Sequence, residues 1–482
     1  MNSQNTLINC FKICLNIIRY NEGQAGDLAL NTMTKFLILK LLEPHFEHGE
    51  NIDLNNFKYN CEDEEKLLNL CRFRNLIKEK ENMCDTVNLL WNNILAVHPI
   101  TQHIFKKGEG FKIKNNSTYT QIFKNLDKID LRSDIDFLGN AYEECIQTSF
   151  SNNVLGQYFT QPQVKNILVD LLNPQIKTDG TIETVCDPTM GTGGLLLTYL
   201  NRIKKDAEKK NINLDKKFIK NHAIYGKELD PNTYDLAVSN LLLSTGIIFD
   251  QLHQGDTIND PIINKFDNII ANPPFGIKGL KYDNIKSNIK NEYVPIKTNN
   301  AISLFIQAII CMLNINGKCA IVLPDGQDLH SKTVKPLIAV REYLLKTCNL
   351  KEIIYLPSGM FTYTSIKTCI FYFEKKREGT EVIQIIKKGS KINYNFDSDH
   401  ATTNIKFYNY DDDSKNKVLI CDIPIDQIAS NHYSLNFNDY NKQTPSASSL
   451  PSSSSHFNIM KSLSEVCTIQ RGPFVTSDMK IP

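Results

Sequence analysis

The sequence predicts an α/β chain, a parallel, doubly wound sheet preceded by an α-helical region. Three observations predict it. Over residues 1–150 apolar side chains recur at three- and four-residue steps, through Leu28–Leu42 and Leu67–Leu95, with few strand-like alternations. From about residue 151 short β-branched runs alternate with amphipathic stretches, the pattern of strands joined by helices. Within that part, a strand runs directly into a glycine-rich turn and then a helix.

The opening stretch, MNSQNTLINCFKICLNIIRYNEG, places Lys12 and Arg19 inside its apolar run and offers no small-residue cleavage site, so it reads as an amphipathic helix and not a signal peptide. Gly108–Lys114 is a loop, and Asp136–Glu143 leads into a further helix. Candidate strands are Thr184–Cys186, Ala223–Gly226, Asn268–Ala271, Lys318–Leu323, Glu352–Tyr355 and Cys369–Phe373, with helices at Asn232–Leu243 and Leu304–Leu313 between them. Cys369–Phe373 ends in Glu-Lys-Lys-Arg, as an edge or closing strand does. The expected organisation is a helical domain over 1–150, an α/β domain over 151–430, a Ser/Pro-rich linker over 431–460 and a final fragment, 461–482, too short to fold alone.

The chain has 482 residues, enough for two or three domains, and a formal charge of +1, so any nucleic-acid contact must come from a local basic surface or a partner. Its 13 cysteines form no C-x-x-C pair and no zinc spacing, which reads as reduced, mostly buried thiols and no metal. No uninterrupted run of 18 apolar residues occurs, so no membrane span is expected and a cytoplasmic location is.

Five constellations carry chemistry. Asp187-Pro188-Thr189-Met190-Gly191-Thr192-Gly193-Gly194 follows the first strand and opens a helix, so its backbone can approach a nucleotide-like ligand and present helix N–H groups to it. It is neither the dinucleotide fingerprint, whose third glycine falls at Leu196, nor a P-loop; a tight turn with no ligand uses the same glycines. Glu228 ends the next strand, where an acid can accept both hydroxyl protons of a ribose. It stands 35 residues beyond Gly193, more than the roughly 20 of dinucleotide sites, and the Lys-rich insertion Lys204–Lys220 accounts for the excess. Gly255-Asp256-Thr257 is a candidate for reading an adenine ring, or a plain turn. Asn272-Pro273-Pro274-Phe275 ends another strand; the prolines hold it extended, so that the Asn272 oxygen and the Pro273 carbonyl can both accept from an exocyclic amino group while Phe275 offers a face for stacking. Gly156-Gln157-Tyr158-Phe159-Thr160-Gln161-Pro162 lies upstream, and by itself two aromatics before a helix are as well explained by a core.

Together these residues resemble the amino-methyltransferases of DNA, and most closely the modification subunit of type I restriction–modification systems. The family's G-Q-x-[YF]-T-P element resembles Gly156–Pro162, with Gln161 where the family usually has Pro and Pro162 one place later. Its D-P-x-x-G-T-G-G turn matches Asp187–Gly194 without a gap, and N-P-P-F matches Asn272–Phe275 in full. Leu138–Glu143, Ala320–Gly326 and Ile353–Phe361 are similar to its lead-in and later core, so that the likeness covers roughly residues 1–430. Residues 463–472 are similar to the opening of a target-recognition domain of the partner specificity subunit, as in a truncated fusion of the two.

The resemblance implies a methyltransferase fold that binds S-adenosylmethionine through Gln157, Tyr158, Phe159, Thr160, Gln161, Pro162, Asp187, Pro188, Thr189, Gly191, Thr192, Gly193, Gly194, Glu228 and Asp256. It implies methyl transfer to N6 of adenine at Asn272, Pro273, Pro274 and Phe275, with the base out of the stack because its amino group is otherwise out of reach. It also implies double-stranded DNA, a specificity subunit, a restriction subunit and other modification chains as partners. Two alternatives stay open: a methyltransferase acting on a protein glutamine or an RNA base nitrogen, and a non-catalytic scaffold of a DNA complex.

Overall fold

In helix α1 (Gln4–Glu22) Leu7, Phe11, Cys14, Leu15 and Ile18 fall on one side at three- and four-residue steps, and all are buried in the computed structural model of the chain. The structure describes residues 4–48, 64–79, 81–98, 101–129, 138–139, 141–146, 160–277, 280–285, 289–361, 366–388 and 391–440. Helix α2 (Gly26–His48) is apolar nearly all round because it is covered nearly all round; Phe36, at its middle, stacks on Phe111 at 4.4 Å between ring centroids. The Glu22 carboxylate accepts from the Lys114 N–H at 2.9 Å and the Thr118 hydroxyl at 2.6 Å, which ties the end of α1 to the start of α6 (Asn116–Leu126). Between α2 and α6 run the shorter α3 (Glu64–Leu70), α4 (Phe73–Leu76) and α5 (Met83–Leu90). Residues 108–114 are a loop, as the sequence predicts.

Beyond α7 (Pro162–Leu172) the chain builds a nine-stranded sheet in the order β11-β10-β6-β7-β5-β4-β1-β2-β3. Its strands are β1 (Val185–Asp187), β2 (Ile224–Glu228), β3 (Gln251–Gln254), β4 (Phe266–Ala271), β5 (Leu313–Pro324), β6 (Cys348–Tyr355), β7 (Thr368–Lys375), β10 (Asn404–Asp411) and β11 (Asn416–Pro424). Strands β8 (Ile383–Lys388) and β9 (Lys391–Phe396) form a two-stranded antiparallel ribbon apart from it. Helices α8 (Gly194–Lys210), α9 (Pro231–Thr245), α10 (Ala301–Met312) and α11 (Lys335–Thr347) connect the parallel strands. All six strands read from sequence are present, each one to five residues longer or shifted at an end.

Three expectations need correction. The sheet is not all parallel: β7 runs antiparallel to both β5 and β6, and β11 antiparallel to β10. Nor is β7 an edge strand. It lies between β5 and β6 and is buried along most of its length, with even the Lys375 ammonium enclosed, donating to the Leu313 carbonyl at 2.9 Å. The basic run after it follows the strand's end and says nothing about its neighbours. Residues 431–440, placed in the linker by sequence, are packed: Ser434 and Leu435 are fully buried and the Tyr355 hydroxyl donates to the Leu435 carbonyl at 3.1 Å. Residues 441–482, which include the rest of that linker and the final fragment, lie outside the described residues.

The strand order reverses between β1 and β4, because the chain leaves β1 toward β2 and β3 and returns to the other side for β4 and β5. Such a reversal opens a crevice at the carboxyl ends of the strands. The N-terminal helices abut this region from the α9 side, where the Asn31 amide donates to the Asn232 carbonyl at 3.3 Å.

Candidate active site

Asp187, the end of Glu228 and Asn272 all fall at the carboxyl ends of β1, β2 and β4, three adjacent strands around the reversal. This juxtaposition follows from parallel pairing: Val185 is in register with Ile224 on one side and Asn268 on the other, so the three strands stop together.

The glycine-rich turn is built by positive φ angles. Gly191 (φ +54°) and Gly193 (φ +77°) occupy the left-handed region, where a side chain is strained, and nothing lies within 4 Å of where a Gly191 Cβ would be. The turn is bonded to its surroundings at each step. The Met190 N–H donates to the Lys227 carbonyl at 3.0 Å, the Gly191 N–H to Glu228 Oε2 at 2.9 Å, and the Asn240 amide to the Thr192 carbonyl at 2.9 Å. The Thr257 hydroxyl donates to the Pro188 carbonyl, which joins the loop after β3 to the same turn.

Asp187 is fully buried. One carboxyl oxygen accepts from the Thr189 N–H at 3.0 Å; the other, and the Thr189 hydroxyl, have no hydrogen-bond partner. Burial pushes the Asp187 carboxyl up to about 8. Glu228 is held from two sides, by the Gly191 N–H and by the Asp230 N–H at 2.9 Å, and burial raises its carboxyl as well.

Asn272 is the clearest of these residues. Its Nδ2 donates to Thr160 Oγ1 at 2.9 Å, while its Oδ1 is buried without a partner. A buried amide oxygen left unmatched is costly, and a substrate amino group could supply the missing donor. Thr160 is the residue of the upstream element that the fold delivers to the strand ends, at a separation of 112 residues in the chain. Pro273 is buried behind it and Pro274 is exposed.

Other expected positions are arranged differently. Asp256 turns its carboxylate onto its own loop, accepting from the Ile258 and Asn259 N–H groups at 2.8 and 3.0 Å. Phe275 is 7% exposed and belongs to the hydrophobic core, so its ring is largely covered. Gln161 is half-buried, and Pro162 opens α7 as its first residue. Gln157, Tyr158 and Phe159 lie outside the described residues.

Sequence reasoning missed several residues that hold the turn in place. Asn240 reaches it from 48 residues away with nothing local to mark it, and Thr257, named from sequence only as part of the Gly255–Thr257 turn, reaches it across 69 residues. Lys165, 3% exposed on α7, pairs with Glu143 and abuts the first turn of α8; its Nζ would lie 3.3 Å from a Cβ on Gly194. Lys227, within β2, pairs with Asp260 of the loop after β3 at 2.7 Å. Only Glu143 had a signal, as the last residue of the lead-in segment.

The donor set suits a cofactor with a ribose, an amino-acid end and a cationic centre. It offers carboxyl groups at Asp187 and Glu228, open space beside the Gly191 Cα, and unmatched buried oxygens on Asp187, Thr189 and Asn272. Among the described residues no group of three or more His, Cys, Asp or Glu side chains could hold a metal ion, and no helix is long and apolar enough to cross a membrane.

Comparison with known proteins agrees with this geometry. The chain is 28% identical over 398 residues to the type I restriction enzyme EcoEI methylase subunit of Escherichia coli, covering 78% of this chain and 76% of that one. To the HindI methylase subunit of Haemophilus influenzae it is 30% identical over 251 residues, about half of each. Among solved structures, a chain from a study of assembly and conformational transition in the type I R-M system superposes with a TM-score of 0.67 at 18% identity, covering 97% of this chain and 94% of that one. The type I restriction-modification methyltransferase subunit of Streptococcus thermophilus superposes with a TM-score of 0.65 at 19% identity, over 91% of this chain and 99% of that one. These two likenesses establish the fold. The sequence profile of the N-6 DNA methylases matches residues 133–448, which spans the glycine-rich turn, the strand ends and the Asn272 loop, and the chain belongs to the N-6 DNA methylase family.

Proposed function

We propose that this chain transfers a methyl group from S-adenosylmethionine to N6 of adenine in DNA, as the modification subunit of a type I-like restriction–modification complex. The observation that carries the reading is the Asn272 amide, anchored through Nδ2 on Thr160 and presenting a buried, unmatched Oδ1 at the end of β4. An acceptor there orients an amino group by taking one of its hydrogens, and the Pro273 carbonyl takes the other. This directs the nitrogen lone pair away from both acceptors.

Bound S-adenosylmethionine supplies an electrophilic methyl. Asp187, Gly191–Gly194, Glu228 and Thr160 would hold it. Asp256 would contribute to the cofactor pocket and Phe275 to the base pocket. The protein's part in the chemistry is positioning and exclusion of water. Double-stranded DNA, a specificity subunit, a restriction subunit and further modification chains complete the proposed assembly, consistent with the names of the relatives it matches.

The test is transfer of radiolabelled methyl from S-adenosylmethionine to unmethylated duplex DNA, RNA and protein, with and without a specificity partner. Label recovered as N6-methyladenine in DNA, and lost in an Asn272→Ala variant, supports the reading. Label on RNA or protein alone, or unchanged methylation by Asn272→Ala, overturns it.

A further inference from the structure

Thr257 is clamped from two sides. Its hydroxyl donates to the Pro188 carbonyl of the glycine-rich turn, and its own carbonyl accepts from the Tyr293 hydroxyl at 2.9 Å. Both residues are buried, so neither bond competes with solvent. The Tyr293 hydroxyl has one hydrogen to give; its other neighbour, Met312 Sδ, is 3.8 Å away and a weak acceptor, which leaves the Thr257 carbonyl as the partner.

Tyr293 belongs to the stretch of chain between Asn272 and α10. The near end of that stretch is set by β4, whose Ala271 is in register with Ile321 of β5. Its far end is set by Asn300, which accepts from the Ser303 N–H at 2.8 Å as the cap of α10 and donates to the Asp328 carboxylate. Between them the Tyr282 N–H donates to Asn299 Oδ1 at 2.9 Å, and the Ile296 N–H to Gln307 Oε1 at 2.7 Å. These bonds hold the stretch to itself, to α10 and to the loop after β5. Through the Tyr293 hydroxyl it is also bonded to the loop after β3, and from there to the turn.

We propose that Tyr293 is a positioning residue that joins the two halves of the site through Thr257, linking the glycine-rich turn to the stretch that continues from Asn272. The inference rests on the reading of Asp187–Gly194 as the turn that takes S-adenosylmethionine. Pro188 is part of that turn, so a ligand held there restrains the carbonyl on which the Thr257 hydroxyl rests. The hydroxyl and the carbonyl of Thr257 belong to one residue, so restraint at the first reaches the second and the Tyr293 ring bonded to it. A link of this kind acts equally in both directions: occupancy on the Asn272 side also steadies the turn. Its strength is that of one neutral hydrogen bond, about 2- to 12-fold in an equilibrium constant.

The experiment measures amide hydrogen exchange of the full chain by mass spectrometry, with and without S-adenosylmethionine, in the natural sequence and in Tyr293→Phe, Thr257→Val and Thr257→Ser. The readout is the ratio of the rates without and with cofactor in each chain, so any loosening that a substitution causes by itself cancels. It is followed at the turn, where the Met190, Gly191 and Gly193 N–H groups are bonded, and at the Tyr293, Val294 and Ile296 N–H groups, which are bonded too. In the natural chain the cofactor should slow exchange at the turn and, by about 2- to 12-fold, at residues 293–296. Tyr293→Phe should keep the first effect and lose the second. Thr257→Val should also lose the second, and Thr257→Ser, which retains the hydroxyl, should keep both. Slowing that reaches 293–296 undiminished in Tyr293→Phe, or that stops at the turn in the natural chain, overturns the proposal and leaves the cofactor reading standing. A Thr257→Ser chain that behaves as Thr257→Val overturns it as well. If the natural chain shows no slowing anywhere, the cofactor reading and the proposal fail together.

Discussion

Asn272 Nδ2 donates to Thr160 Oγ1 at 2.9 Å, so the amide at the end of β4 is oriented by a residue of the element that precedes the first strand. Turning the amide over would bring Oδ1 to a hydroxyl that could still donate to it, but would offer an NH2 group to the substrate amine. Thr160 is therefore expected to act through Asn272. Thr160→Val leaves the Asn272 amide unanchored and a buried donor unmatched, a cost of about 1–3 kcal/mol. We expect kcat to fall roughly 5- to 150-fold, with a smaller change in KM for DNA. Thr160→Ser should restore most of it. Equal kcat in the Val and Ser variants, measured in single turnover, would sink this assignment.

Asn272→Ala removes the acceptor itself. By analogy with loss of one preorganised hydrogen-bonding group at a reacting centre, the rate should drop on the order of 10²- to 10³-fold. S-adenosylmethionine affinity, read by calorimetry, should change little, since the residue's proposed partner is the base. A large loss of cofactor affinity with unaltered single-turnover rate would reassign Asn272 to the cofactor.

Glu228 accepts from the Gly191 and Asp230 N–H groups, one on each carboxylate oxygen. Glu228→Gln keeps the shape but replaces one acceptor with a donor, facing a backbone N–H with an NH2 group. Stability should fall by about 1–3 kcal/mol, and S-adenosylmethionine affinity by tenfold or more, because the same carboxylate is the proposed ribose acceptor. Thermal melts with and without cofactor check both. A melt shift with unchanged cofactor affinity would leave Glu228 a purely structural residue.

Burial raises the Asp187 carboxyl to about 8 in the folded chain, against an ordinary value of 3.8. The folded state thus holds a proton that the unfolded state releases, and between these values the folded state binds more protons. The stability this gives is fully present below about pH 3.8 and is lost as pH rises through about 8. Asp187→Asn should flatten that part of the pH–stability curve, and the melting temperatures of the two proteins should diverge most above pH 8. An ionised Asp187 favours a cationic ligand, so S-adenosylmethionine affinity should rise with pH toward 8 in the natural chain and not in the variant. Parallel pH profiles for the two proteins would rule this out.

The sequence by itself determined the local grammar. The periodicity of α1, the apolar run of α2, the strand–turn–helix at Asp187–Gly194 and the proline-stiffened Asn272–Phe275 were legible because each depends on residues adjacent in the chain. Six strands were read correctly for the same reason: their apolar runs are buried on both faces. The half-exposed strands β3 and β8–β11 were not seen, since a strand with one wet face carries polar residues that read as loop.

What only the tertiary structure decided is which distant groups meet. Parallel pairing brings Asp187, Glu228 and Asn272 to one edge, and Thr160 closes on Asn272 across 112 residues. The burial that raises Asp187 and the covering of Phe275 come from elements packed around them. The antiparallel insertion of β7 between β5 and β6 likewise depends on neighbours and not on its own residues. Hydrogen bonds and desolvation are set by three-dimensional neighbours, and a linear pattern specifies those only through the fold it builds.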